Sequence, residues 1–301
     1  MLLKFALTLF FLTLCGAVGG ENDLTKAPRF ALNLDLPEAD RWTPILKHWD
    51  IEVYQKLVRD AISQFMSEET HKLAAIVGGA IERFLPSPYA GEIRGIASYF
   101  KIDIGDILLF NIFYDLTVSG GCTSIVAQDI HGNIWHGRNM DYVITSTLRN
   151  LTIVVDFQSN GKTLYTSTTF LGQTGMFTGQ RPNAFTISLN ERDEGSMTEN
   201  AVQVLKAFIT KRTAFTSFQI RDAISQDQTY HEAFERLAYR PETASNYFII
   251  GGNRSTEGAV ITRNRSSEVD IWYLNSTEER WFLLETNYDH WLPPPDTDDR
   301  R

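Results

Sequence analysis

Residues 119–129 read Ser119-Gly120-Gly121-Cys122-Thr123-Ser124-Ile125-Val126-Ala127-Gln128-Asp129, and the cysteine in this run decides how the chain is to be read. Behind it, clustered β-formers predict a strand from Cys122 to Gln128. In front of it, two glycines give a flexible or strained backbone and place no Cβ in the way of the Gly121 carbonyl. A thiol there can attack that carbonyl and cut its own chain. The new terminus then carries thiol and α-amine side by side. That amine titrates near neutrality, so it can act as the nucleophile's own general base, and no histidine is needed. On residue type alone, a buried structural cysteine is the other reading.

Upstream of the cysteine the pattern is mainly helical. Residues 27–37 read as an extended segment. Behind a capping Asp50, Val53, Leu57, Ala61 and Phe65 recur every four residues, the stripe of an amphipathic helix. A second helix is expected from about His71 to Phe84, stopped by Pro86-Ser87-Pro88. Its middle, Leu73–Ile81, is apolar on nearly every face and reads as a core helix, with an interfacial helix that dips into lipid as the alternative. Glu92–Phe100 and Asp103–Tyr114 follow as helices. Downstream of Cys122, strands are expected at Ile134–His136, Thr152–Phe157, Thr163–Phe170 and Ala184–Leu189. Helices fill 198–238, and strands resume at Tyr247–Ile250, Gly258–Thr262, Val269–Tyr273 and Trp281–Glu285. Strands, helices and strands again predict an α+β sandwich of sheets covered by helices.

Charge and composition exclude other classes. The 301 residues carry 37 acidic and 28 basic side chains, a net charge of −9, with no basic stripe for a nucleic-acid partner. The six histidines show no metal-ligand spacing, so no metal or organic cofactor is expected; His136 and His290 read as structural hydrogen-bonders. Gly172, Gly175 and Gly179 lack the ending of a phosphate loop and are expected to mark turns. Residues 1–19 have one lysine, a short apolar run and then small residues, the pattern of a secretory signal peptide. Cys15 would leave with that segment, so the mature chain keeps Cys122 alone. A lone thiol in an oxidising compartment needs a task or burial. Sequons at Asn150, Asn253, Asn264 and Asn275 are expected surface glycan sites.

Several motifs stand in a fixed order: Cys122–Asp129, His136-Gly137-Arg138-Asn139-Met140-Asp141, Asn190-Glu191-Arg192-Asp193, Tyr247–Gly252, Ile261–Arg265, Glu285–Trp291 and Asp298-Asp299-Arg300-Arg301. Together, and with Gly91–Gly95 upstream, this set resembles the acid ceramidase group of N-terminal-nucleophile hydrolases. The short connection from Tyr142 to Asn150, and Glu191–Gly195 followed by Glu199-Asn200-Ala201, are similar to the amidase branch of that group. The resemblance implies a four-layer α-β-β-α sandwich with an N-terminal helical segment. It also implies self-cleavage between Gly121 and Cys122 into a helical α chain (20–121) and a catalytic β chain (122–301) that stay associated.

The substrate implied is a fatty-acyl amide lipid, an N-acylethanolamine, with ceramide as the alternative. The compartment implied is the lysosome, with peripheral membrane contact through the apolar helices. Residue by residue, the resemblance makes Cys122 the nucleophile, Asp141 the carboxylate holding its amine, Arg138 the cation beside its thiol and Asn287 an oxyanion donor. Glu191 becomes an acidic group near the cleavage junction, and Arg300 a supporting cation. Members of the group continue some fifty residues past the Asp-Asp-Arg-Arg motif, so the chain reads as truncated. A non-catalytic lipid-binding glycoprotein is therefore the reading from another class.

Overall fold

A computed structural model describes residues 26–116, 120–142, 144–192, 194, 197–210 and 213–293. The expected signal segment, Arg300 and the Asp-Asp-Arg-Arg motif lie outside the described residues.

Strand β1 (Arg29–Asn33) is followed by helices α1 (Thr43–Leu46), α2 (Ile51–Ser63), α3 (Glu68–Ile81), α4 (Tyr89–Phe100) and α5 (Ile104–Leu116). Then come β2 (Gly120–Gln128), β3 (Ile134–Tyr142), α6 (Thr145–Leu151), β4 (Thr152–Ser159), β5 (Lys162–Phe170), β6 (Thr178–Arg181) and β7 (Phe185–Glu191). Helices α7 (Met197–Thr210), α8 (Thr216–Gln226) and α9 (Tyr230–Tyr239) precede β8 (Asn246–Gly252), β9 (Gly258–Arg263), β10 (Glu268–Tyr273) and β11 (Phe282–Glu285). Eight strands form one sheet in the order β1-β4-β5-β6-β7-β8-β9-β10, and three form a second in the order β11-β2-β3. β2 packs face to face on β7 and β8, while α8 and α9 cover the far side of the large sheet. The fold is the α+β sandwich of N-terminal-nucleophile hydrolases. Among the described residues the outer face of the small sheet leaves Ile125, Trp135 and Phe282 exposed.

Asp50 caps α2 as expected, its carboxylate accepting from the backbone N–H groups of Glu52 and Val53. The fully buried residues are Tyr54, Val58, Ala61 and Ile62; of the expected stripe Ala61 is among them, Leu57 and Phe65 are half-buried against the core, and Val53 faces out. Helix α3 also departs from the core-helix reading: Leu73 is 65% exposed and Ile76 71%. A Cβ on its Gly78 would stand 3.2 Å from the Gly105 Cα of α5. α3 is held by backbone proximity along one narrow line, which leaves its apolar flank uncovered. The short segments α6 and β6 were not anticipated, because neither is long enough to show a period.

The two halves of the chain share one core. β1, from the upstream half, pairs in parallel with β4 and completes the edge of the large sheet. Across the halves, Glu92 on α4 accepts from both terminal nitrogens of Arg221 on α8 at 2.6 and 2.7 Å, and from Trp42 Nε1 at 2.9 Å. Glu92 and Arg221 are buried, so each neutralises a charge that would be costly alone.

Candidate active site

Even-numbered residues of β2 face the sandwich interior: Ser124 and Val126 are fully buried while Ile125 between them is exposed. Cys122 shares that parity and is only 2% exposed. On β3 the same parity turns His136, Arg138 and Met140 inward, and register sets Met140 opposite Cys122 and Arg138 opposite Ser124. Arg138 Nη2 lies 3.6 Å from Cys122 Sγ and donates to the Leu189 carbonyl of β7 at 2.7 Å. The Cys122 backbone nitrogen donates to Asn287 Oδ1 at 2.8 Å, and Asn287 Nδ2 donates to the Glu191 carbonyl at 2.7 Å.

Burial pushes the thiol's pKa above its ordinary value. The Arg138 charge and the Glu191 backbone favour the thiolate, but burial outweighs them, so the thiol of the uncut chain is protonated. An added base is therefore needed to activate it.

Two chain segments distant in sequence are joined beside the thiol. Asn190 Nδ2 donates to the carbonyls of Glu285 and Thr286 at 2.9 and 2.8 Å, just before Asn287. Arg192 grips Asp289 with Nε and Nη2, both at 2.8 Å, and Tyr247 donates its hydroxyl to the same carboxylate at 2.7 Å. The Asn190-Glu191-Arg192 and Glu285–Asp289 motifs thus form one wall.

The structure brings together Cys122, Gly121, Arg138, Glu191 and Asn287. It does not bring Asp141 to the thiol. Asp141 stands opposite Gly121 with the opposite parity, is exposed, and accepts from Asn139 Nδ2 at 2.9 and 3.0 Å. Three residues from Arg138 on a strand means the other face, and the uncut chain holds it there. Gly120 and Gly121 pair in regular register with Tyr142 and Asp141 of β3. Asn287 accepts from the Cys122 nitrogen; in the uncut chain one of its own N–H groups is taken by Glu191, a different use from the expected oxyanion donor alone. Asn150 and Asn253 are exposed and Asn264 and Asn275 half-buried. His136 is fixed between Thr186 and Ser188, and His290 stacks on Trp272 at 4.3 Å, both structural placements. Gly172 makes a left-handed turn, φ +85°, whereas Gly179 lies within β6 rather than in a turn.

A recess opens on the Arg138 side of the thiol. Its wide part, about 470 Å3, is lined by His136, Arg138, Gln180 and threonines of β5, β6 and β7. Met140, Tyr142, Leu148, Phe170 and Phe177 are shared with a narrow end of about 40 Å3, otherwise lined by Ala61, Ile62, Phe110, Phe113, Tyr114, Ile144 and Gln173. The narrow end is almost wholly apolar and joins helices of the upstream half to β3. Sequence reading missed Met140, Tyr114 and Asn190 as site residues. Strand parity was the available signal for Met140, two residues beyond Arg138; Tyr114, on a helix far in sequence from β3, carried none.

Comparison with known proteins follows the same outline. The choloylglycine hydrolase family, linear amide C–N hydrolases, matches residues 122–298. A second family, the beta subunit of N-acylethanolamine-hydrolyzing acid amidase, matches residues 25–85. The chain is 44% identical over 290 residues to the N-acylethanolamine-hydrolyzing acid amidase of Oryctolagus cuniculus, covering 94% of this chain and 78% of that protein. It is 37% identical over 292 residues to the acid ceramidase of Bos taurus, covering 91% and 73%. The solved structure of the Caenorhabditis elegans N-acylethanolamine-hydrolyzing acid amidase ortholog is similar at 41% identity and a TM-score of 0.51, over 56% of this chain and 71% of that one.

Proposed function

Because this chain belongs to the choloylglycine hydrolase family of linear amide C–N hydrolases, we propose that it hydrolyses N-acylethanolamines to a fatty acid and ethanolamine through Cys122 as an N-terminal nucleophile. The observation that carries this reading is the pair of contacts on one residue: Asn287 on the Cys122 nitrogen and Arg138 on its sulfur.

Maturation comes first. The Cys122 thiol gives up its proton and attacks the Gly121 carbonyl; the peptide C–N bond breaks as the nitrogen takes a proton, leaving a thioester. Water cleaves that thioester, releasing the Gly121 carboxylate and a free Cys122 amine beside the thiol. In turnover this amine takes the thiol proton, the sulfur attacks the acyl carbonyl, and the proton passes to the departing ethanolamine nitrogen. Water, deprotonated by the same amine, then releases the fatty acid. Asn287 holds the amine through Oδ1 and offers its second Nδ2 hydrogen to the oxyanion. Arg138 stabilises the sulfur as it gains charge. Cleavage frees Gly121 from its register with Asp141, which gives that carboxylate access to the new ammonium.

The acyl chain enters the apolar end of the recess and the amine part faces the threonine-lined end. The cut chains stay together through β1 and the Glu92–Arg221 pair. The uncovered flank of α3, Leu73, Ile76 and Val77, meets the membrane that holds the substrate. The compartment is the acidic lysosome, a reading that rests on the family resemblance of the motifs.

The test is incubation at lysosomal pH followed by N-terminal sequencing and assay on N-acylethanolamine and ceramide. A new terminus Cys122-Thr123-Ser124 with faster amide release from the N-acylethanolamine is expected. Faster ceramide turnover would move the assignment to the ceramidase reading. Full activity in Cys122→Ala would sink both.

A further inference from the structure

The two asparagines of the wall hold each other's strand ends, and only one of them reaches Cys122. Asn287, just past the end of β11, reaches back to the Glu191 carbonyl and the Cys122 nitrogen. Asn190, the next-to-last residue of β7, reaches forward to the carbonyls of Glu285 and Thr286, the two residues that deliver Asn287. Asn190 has no exposed surface. Its remaining acceptor, Oδ1, takes a hydrogen bond at 2.7 Å from Ser124 Oγ, two residues along β2 from the nucleophile on the same face.

The donor directions through this cluster are forced. Carbonyls only accept, so the Asn190 amide nitrogen must face Glu285 and Thr286, and its oxygen must face Ser124. Ser124 then donates to Asn190, and Ser188 donates to Ser124 at 2.9 Å. Ser188 in turn accepts from His136 Nε2 at 2.9 Å, and His136 Nδ1 lies 2.8 Å from the hydroxyl oxygen of Thr186, which also donates to the Gly251 carbonyl at 3.2 Å. The chain of bonds crosses from the large sheet to the small one and back, and each link from Asn190 to His136 Nε2 has one orientation.

We propose that Asn190 is a positioning residue for the hydrolytic reaction: by fixing the Glu285–Thr286 backbone against β2, it sets the Asn287 amide on the Cys122 nitrogen. The inference rests on the amidase reading for its kinetic consequence but not for its geometry.

Two measurements separate these. In the uncut Cys122→Ala chain, hydrogen exchange at the backbone N–H of residue 122 reports the Asn287 contact without any activity. Adding Asn190→Asp, which turns an oxygen against the two carbonyls, is expected to speed that exchange about tenfold, the worth of one hydrogen bond. In the cut enzyme, Asn190→Asp is expected to lower kcat about a hundredfold with KM within about twofold. In an Asn287→Ala background the same change should add less than about threefold, because both act through one group. Unchanged exchange, or losses that multiply in the double variant, would overturn the proposal. Should wild-type protein hydrolyse no acyl amide, the amidase reading fails while the exchange result still decides the positioning role. If Asn190→Asp does not fold, Ser124→Ala removes only the brace on Oδ1 and is expected to show the same pattern, about tenfold in kcat.

Discussion

Asn287 Oδ1 accepts a 2.8 Å hydrogen bond from the Cys122 backbone nitrogen across 165 residues of sequence. In the proposed reaction this nitrogen, a peptide N–H in the uncut chain, becomes the catalytic amine after cleavage, so one side chain would serve both states. Asn287→Ala is expected to slow self-cleavage and lipid hydrolysis alike by about a hundredfold or more. Gel analysis of the cut and kinetics of the residual mature fraction check this. Loss of one activity with the other intact would separate the two roles.

The thiol of the uncut chain has a pKa raised by burial, so it is protonated at neutral pH and becomes anionic only above the ordinary thiol range. Iodoacetamide is expected to leave Cys122 unmodified in native uncut protein at pH 7 and to modify it after denaturation. Mass spectrometry at a series of pH values reads the outcome. Fast alkylation of the native chain at pH 7 would contradict a buried, protonated thiol.

Glu92 and Arg221 tie the upstream half to the catalytic half through a buried two-toothed ion pair. Glu92→Ala leaves the Arg221 charge without its partner and is expected to cost about 3–5 kcal/mol. Denaturant titration measures the loss. Gel filtration of the cut protein should also show the two chains separating at lower denaturant than in wild type.

Glu242 is fully buried beside Arg263, with Nε 3.3 Å from Oε1, and burial raises its pKa to about 8. Asp115, also buried, is raised to about 6. In the unfolded chain both carboxyls ionise near pH 4. A raised folded value means that protonation favours the fold: the stabilisation is complete below about pH 4 and lost as pH climbs toward 8. Thermal unfolding is therefore expected to shift to higher temperature as pH falls from 8 to 5. Glu242→Gln should flatten that slope; an unchanged slope would remove Glu242 from the account.

Ala61 on α2 closes the apolar end of the recess. Ala61→Phe is expected to cut kcat/KM for a long acyl chain about tenfold more than for a short one, since an added ring displaces methylenes. A chain-length series of N-acylethanolamines tests it. Equal losses at all lengths would place the acyl chain elsewhere.

Sequence alone determined a good deal of this protein. Periods of four before Cys122 and of two after it separate the helical from the β-rich half, because those spacings are set by backbone geometry local to each segment. The motif order carried the hydrolase family and put Cys122, Arg138 and Asn287 on the page. Other points needed the third dimension. Arg138 and Asp141 stand in one six-residue motif, yet strand parity sends them to opposite faces, and only register decides which face meets the second sheet. Leu73–Ile81 has the composition of a core helix, but whether anything covers it depends on where α5 lies, not on its own residues. Asn190 shows no pattern of its own. Its importance comes from backbone carbonyls some 95 residues away, and hydrogen bonds between distant carbonyls leave no period in a sequence.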